Sequence, residues 1–135
     1  MSNSRNRGAR RARAAVSQLV EMFPAAFARF DRKPLKLGIR KDLLARGISI
    51  RTIASGLGSY CHSIDYLGAM KTGAARIDLD GNAAGVVTAD EAEDAARKLT
   101  EAIARAKAAA RKAWAKAKMA KKAKKAEKVA ESRAA

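Results

Sequence analysis

Cys61 and His62 are the chain's single cysteine and single histidine, and their adjacency is the first arrangement that asks for chemistry. A thiol beside an imidazole makes a nucleophile and its base, but neighbours along a helix point in different directions. Metal sites need several His or Cys ligands, and one of each does not supply them. Asp78-Leu79-Asp80-Gly81-Asn82 begins like a calcium loop. Its glycine comes too early, however, and Ala89 stands where the bidentate acid belongs, so hairpin-turn chemistry is the better reading. Gly56-Leu57-Gly58 has Cys61 in place of the third glycine of a dinucleotide fingerprint, and no strand pattern precedes it. Lys71-Thr72 follows Met70 rather than the glycine of a phosphate-binding loop. These residues predict no enzyme, no metal site, no cofactor and no small-molecule substrate.

What remains is a spread of cations with a few aromatic rings. Lys33, Lys36, Arg40 and Lys41 fall close together, and on a helix the first three would share a face. The same residues also suit an ordinary solvated surface. Tyr60, Tyr66, Lys71 and Arg76 occupy the most irregular part of the chain. Tyr66 reads either as a core tyrosine or as a ring that stacks or hydrogen-bonds against a nucleotide. The formal charge is +16, and 14 of those excess charges lie in residues 1–13 and 101–135. A nearly neutral body with polybasic ends attracts polyanions through counterion release. Arg10, Arg11 and Arg13 at one end, and Arg111, Lys112 and Lys116 at the other, are the candidates for non-specific contacts with nucleic acid.

The elements that must position these groups follow from periodicity. At 135 residues the chain allows one modest domain. Residues 1–10 show no apolar period and read as a disordered basic arm, here bounded at 1–11. Ala15, Val16, Leu19 and Met22 give a short helix from about Arg13, stopped by Phe23-Pro24. Phe23, Phe27 and Phe30 supply three of six aromatic side chains and read as core anchors. A helix opened by Pro34 carries Leu37, Ile39, Leu43 and Leu44, with Gly47 as its C-terminal cap. Ser49 caps the next helix, weakened by Gly56 and Gly58, and a short helical segment covers Tyr60 to Met70.

Arg76-Ile77-Asp78-Leu79 alternates with period two, Asp80-Gly81-Asn82 turns, and Gly85-Val86-Val87 returns as the second strand of a hairpin. Thr88 and Glu91 form a capping box for a long helix with Ala92, Ala96, Leu99 and Ile103 as its core stripe. Beyond Ile103 the Lys/Ala sequence favours helix but offers little to pack, so fraying is expected. The fold class is α+β, mainly helical, with a body at 12–105 and a basic tail at 106–135.

Pro34-Leu35-Lys36-Leu37-Gly38-Ile39, then Tyr60 and Tyr66-Leu67, then Lys71-x-Gly73-Ala74-x-Arg76-Ile77-Asp78-Leu79-Asp80-Gly81-Asn82 resemble the signature of the ProQ/FinO domain of bacterial RNA chaperones. Met22-Phe23-Pro24-x-x-Phe27 fits it as well. The resemblance implies a compact helical fold with a small hairpin and a concave face. That face would bind structured RNA such as intrinsic terminator hairpins with a 3′ uridine tail. Lys36, Tyr66, Lys71 and Arg76 fall on motif positions that contribute to it. Ala54, Gly58 and Asp65 stand where some relatives carry basic residues, with Arg51 as the compensating cation. The resemblance further implies a minimal, single-domain version, without the separate C-terminal domain of many relatives.

The expected function is therefore an RNA chaperone of the bacterial cytoplasm that stabilises small RNAs and promotes their pairing with messenger RNAs. Its RNA-binding residues would be Lys33, Lys36, Arg40, Arg51, Tyr66, Lys71 and Arg76. It is expected to be a monomer without a membrane partner. An architectural DNA-binding protein acting through basic tails is the alternative, and it predicts equal binding to duplex DNA. A membrane-surface helix is disfavoured because residues 104–128 offer alanines and a single Trp114 where insertion needs a broad apolar face.

Overall fold

The computed structural model describes residues 2–134, and Met1 and Ala135, at the outer ends of the two expected basic tails, lie outside them, as do the side chains of Ser2, Asn3 and Arg5. Five helices and one hairpin follow in the order α1 (Ser2–Met22), α2 (Ile39–Ala45), α3 (Ile50–Cys61), α4 (Ile64–Ala69), β1 (Ala75–Ile77), β2 (Ala83–Val86) and α5 (Ala89–Ala134). The described residues up to Ala102 form one compact unit and those from Ile103 onward a second.

In the first unit, α1 packs along α3 around Leu19, Ile53 and Tyr60, none of which has measurable exposure. Gly56 permits that contact, because a Cβ there would lie 2.7 Å from Leu19 Cδ1 and 3.3 Å from the Ala15 Cβ. Phe23 and Phe27 are buried as expected, and Phe27 meets the Tyr60 ring edge-on at 5.0 Å. Ser49 caps α3 by accepting the Thr52 N–H, and Ser63 caps α4 through the Tyr66 N–H. At the start of α5 the reciprocal box forms: Glu91 accepts the Thr88 N–H at 3.1 Å, and Thr88 Oγ1 accepts the Glu91 N–H at 3.2 Å. Asp78 organises the hairpin turn by accepting N–H groups from Asp80 and Asn82, each at 2.9 Å.

Four expectations are corrected. Helix α1 starts at Ser2, where a disordered arm was expected, because arginine and alanine sustain a helix with no apolar period. Pro34 to Leu37 are not helical; Leu35 bridges Ile77 in parallel, with Lys36 N donating to Ile77 O and Ile77 N to Pro34 O. Gly38 takes the left-handed conformation (φ 84°) that turns this extended segment into α2. Lys33, Lys36 and Arg40 therefore share no helical face. Phe30 is 77% exposed instead of anchoring the core. In α5, Ala95 rather than Ala96 is the buried position.

The second unit is the remainder of α5, helical through Ala134 where fraying was expected, and exposed along its length. Lys118 Nζ lies 4.9 Å from the Trp114 ring centroid, a cation over an indole face. No helix among the described residues is long and apolar enough to cross a membrane.

Candidate nucleic-acid interface

The extended segment at Leu35 is where the motif residues converge. Its N–H is accepted by the Tyr66 hydroxyl at 3.1 Å, and its carbonyl accepts from Arg76 Nη1 at 2.7 Å. Two side chains thus satisfy a buried peptide that on its other side is paired to β1. Tyr66 reaches it from α4, its ring edge-on to Tyr60 at 5.8 Å. Arg76 is only 4% exposed, so the alternation read in β1 fails there, with Arg76 and Ile77 both inside. Burying a guanidinium demands a counter-charge, and Glu91 supplies it through an ion pair to Arg76 Nη2. The capping carboxylate of α5 is therefore shared, one oxygen on the helix start and the other on β1. Arg76 Nε alone has no partner among the described residues.

The Thr88 backbone N–H, then its hydroxyl, and also Arg76 hold the Glu91 carboxyl below the usual glutamate range. Burial pushes the Tyr60, Cys61 and Tyr66 groups up. The Tyr66 hydroxyl is hydrogen-bonded to Cys61 while its oxygen accepts from Leu35. A hollow of about 210 Å³ opens beside Cys61, His62 and Tyr66, with Glu91, Asp94 and Lys98 across it. His62 is exposed, its Nδ1 2.8 Å from the Gly58 carbonyl, which is no nucleophile–base geometry with Cys61. No group of three or more His, Cys, Asp or Glu among the described residues is placed to hold a metal.

The other predicted residues spread further. Lys36, next to Leu35, turns its ammonium to Asp42 at 2.9 Å. Lys33 precedes Pro34 and is exposed; Arg40 is exposed on α2. Lys71 is exposed on the turn between α4 and β1, where Gly73 takes φ 81°. Arg51 lies in the first turn of α3 and lines a different groove, together with Arg11 of α1. Arg10 and Arg13 are exposed on α1, and Arg111, Lys112 and Lys116 are exposed on the second unit.

Sequence reasoning missed Arg32. Its guanidinium lies over the Tyr60 ring at 4.2 Å, and its Nε donates to the Ala28 carbonyl at 3.2 Å. Tyr60 in turn accepts the Ala28 N–H through its hydroxyl at 2.9 Å. The signal was the Arg32-Lys33 pair directly before Pro34, of which only the lysine drew notice. The exposed Phe30 ring beside this segment was missed because aromatics in a ring-poor chain read first as core.

Similarity to known proteins agrees with this architecture. The RNA chaperone ProQ of Aeromonas salmonicida is 42% identical over 92 residues, covering 64% of this chain and 44% of that protein. The RNA chaperone ProQ of Aeromonas hydrophila is equally similar, with 43% of its length covered. The chain thus spans less than half the length of these curated relatives. Among solved structures, a ProQ homolog from Legionella pneumophila superposes with a TM-score of 0.56 at 33% identity, covering 64% of this chain and 79% of that one. A FinO-like RNA chaperone from Neisseria meningitidis gives the same TM-score at 28% identity, covering 70% and 81%. The ProQ/FINO family model matches residues 9–113, which contain the whole expected body. With the motif residues assembled around Leu35 and most of its length matched, the chain belongs to the ProQ/FINO family.

Proposed function

We propose that this protein is an RNA chaperone that binds structured RNA, in particular terminator-like hairpins ending in a single-stranded uridine tail. By this reading it stabilises small RNAs and promotes their pairing with messenger RNAs as a monomer in the bacterial cytoplasm. The observation that carries the proposal is the set of exposed body cations without carboxylate partners. Among the described residues, the acids pair with Lys36, Arg46, Arg76, Arg97 and Lys98, leaving Arg29, Lys33, Arg40, Lys41, Arg51 and Lys71 exposed without an acidic partner. An A-form stem offers phosphates and 2′-hydroxyls rather than a readable major groove, which suits a surface of this kind. Tyr66, which borders the hollow beside His62, is the ring we assign to the uridine tail, and Arg76 fixes the segment that carries Lys36. The names of the relatives favour RNA over the architectural DNA reading and a binding protein over an enzyme.

The test is competition binding at about 150 mM salt, where charge contacts alone are weakened. The probe is a labelled GC-rich RNA hairpin with a free uridine tail; the competitors are the unlabelled tailed hairpin, the same hairpin without its tail and duplex DNA of equal charge. Preferential competition by the tailed hairpin is expected. Competition that follows charge alone overturns the reading in favour of the basic tails. Removing residues 112–135 is expected to flatten the salt dependence while keeping the tail preference, and loss of that preference would move recognition out of the body.

A further inference from the structure

The groove between α1 and α3 is lined by two arginines and no acid. It encloses about 260 Å³. Arg11 and Gln18 border it from α1, and Arg51, Thr52 and Ser55 from α3. Its α1 side is made of positions 11, 14, 15 and 18, one helical face on which two alanines are flanked by a guanidinium and an amide. The alanines keep the groove open, and the close approach at Gly56 fixes the separation of its walls. Neither Arg11 nor Arg51 has a carboxylate partner among the described residues. The hydroxyls are disposed as donors as well: Thr52 Oγ1 accepts from Ser49 Oγ at 2.8 Å, which leaves its own proton to give. By contrast, the hollow at Tyr66 has Glu91 and Asp94 in its wall beside Lys98, a mixed rather than a purely cationic lining.

We infer that this groove is a phosphate-binding subsite in which Arg11 and Arg51 clamp one phosphodiester of the bound RNA. The source of that phosphate rests on the RNA-binding reading above; the anion site itself rests on the groove. Two guanidiniums from separate helices with hydroxyl donors between them match the oxygens of a phosphodiester. The extension of α1 to Ser2 is what makes this possible, since a disordered arm would leave Arg11 without a fixed position. Arg11 is then a built contact rather than part of a non-specific tail. Arg51 likewise holds a phosphate from the first turn of α3, on the helix face that Ala54 and Gly58 continue without charge.

The test has two arms. In the first, hairpin affinity is measured across a salt series for the full chain, for Arg11→Gln/Arg51→Gln, and for Arg7→Gln/Arg29→Gln, which removes equal charge elsewhere. The groove variant is expected to bind about tenfold more weakly than the charge-matched control. Its log–log salt slope is expected to be shallower than that of the full chain by about 0.7–0.9 per lost contact. Equal losses in the two variants overturn the subsite. In the second arm, inorganic phosphate is titrated while the amide resonances of Thr52 and Ser55 are followed. Saturable shifts in the full chain that vanish in the groove variant are expected, and their absence in the full chain overturns the anion site. If the full chain fails to bind the hairpin but shows those shifts, the RNA reading fails and the anion site stands without its RNA phosphate.

Discussion

Replacing Tyr66 by phenylalanine separates what its hydroxyl does from what its ring does. The ring packs on Tyr60 and the residue is only 6% exposed, so alanine at this position removes a core aromatic. Truncations of that kind cost about 3–5 kcal/mol, and any loss of RNA affinity would then report on the fold. Tyr66→Phe keeps the ring and deletes the hydroxyl, which accepts the buried Leu35 N–H at 3.1 Å and also bonds Cys61. An N–H left without a partner in the interior costs about 1–3 kcal/mol. At about 4–8 °C per kcal/mol for a domain of this size, the melting temperature falls by roughly 4–24 °C. Circular dichroism melting gives that shift, and hydrogen exchange at the Leu35 amide locates it, since this one N–H should lose protection beyond its neighbours. An unchanged melting temperature together with undiminished protection at Leu35 would refute the reasoning. Hairpin affinity compared below both melting temperatures then reports on the hydroxyl with the ring in place.

Glu91→Gln should destabilise the body, because the 5%-exposed Arg76 side chain loses its counter-charge. Glu91 lies below its ordinary value of 4.5 when folded, so the stability it contributes is complete above that pH and is lost as pH falls through the lower, folded value. A melting-temperature series in acid should therefore fall less steeply in the variant, and parallel curves would exclude Glu91 as a source of the acid limb. Gly56→Leu should cost about 1–3 kcal/mol in urea denaturation by forcing α3 away from Leu19. A variant as stable as the parent would mean that the helices do not meet as closely there.

Local chemistry was readable where a short-range rule decides the outcome. Ser49, the Thr88–Glu91 box and the Asp78–Asn82 turn are each satisfied within a few residues, and each forms as the sequence implies. Pro34 to Leu37 was misread because its partner is Ile77, some forty residues away, and a propensity argument has no access to a long-range bridge. The burial of Arg76 was hidden for a related reason. Period-two alternation places an arginine outside when its neighbour is inside, and only the position of Glu91 makes burial tolerable. The candidate site was legible as a set of residues through the family resemblance, but not as a geometry. Lys36, Tyr66 and Arg76 converge on one segment, whereas Arg51 belongs with Arg11 across a groove that requires α1 to be helical farther toward its start than its apolar period suggests.

The grip on Leu35 also bears on what can be added to the small sheet. An extended segment beside a two-stranded ribbon ordinarily leaves a row of open peptide groups, on which a foreign chain can lay down another strand. Here the outward N–H and C=O of Leu35 are occupied by a phenol and a guanidinium held in place by Tyr60 and Glu91. A side-chain latch thus closes that border at Leu35, and an incoming peptide would first have to displace a buried ion pair. Self-association by strand exchange is blocked at this position by side chains packed from inside the body, and the residues that block it are the ones the family motif marks out.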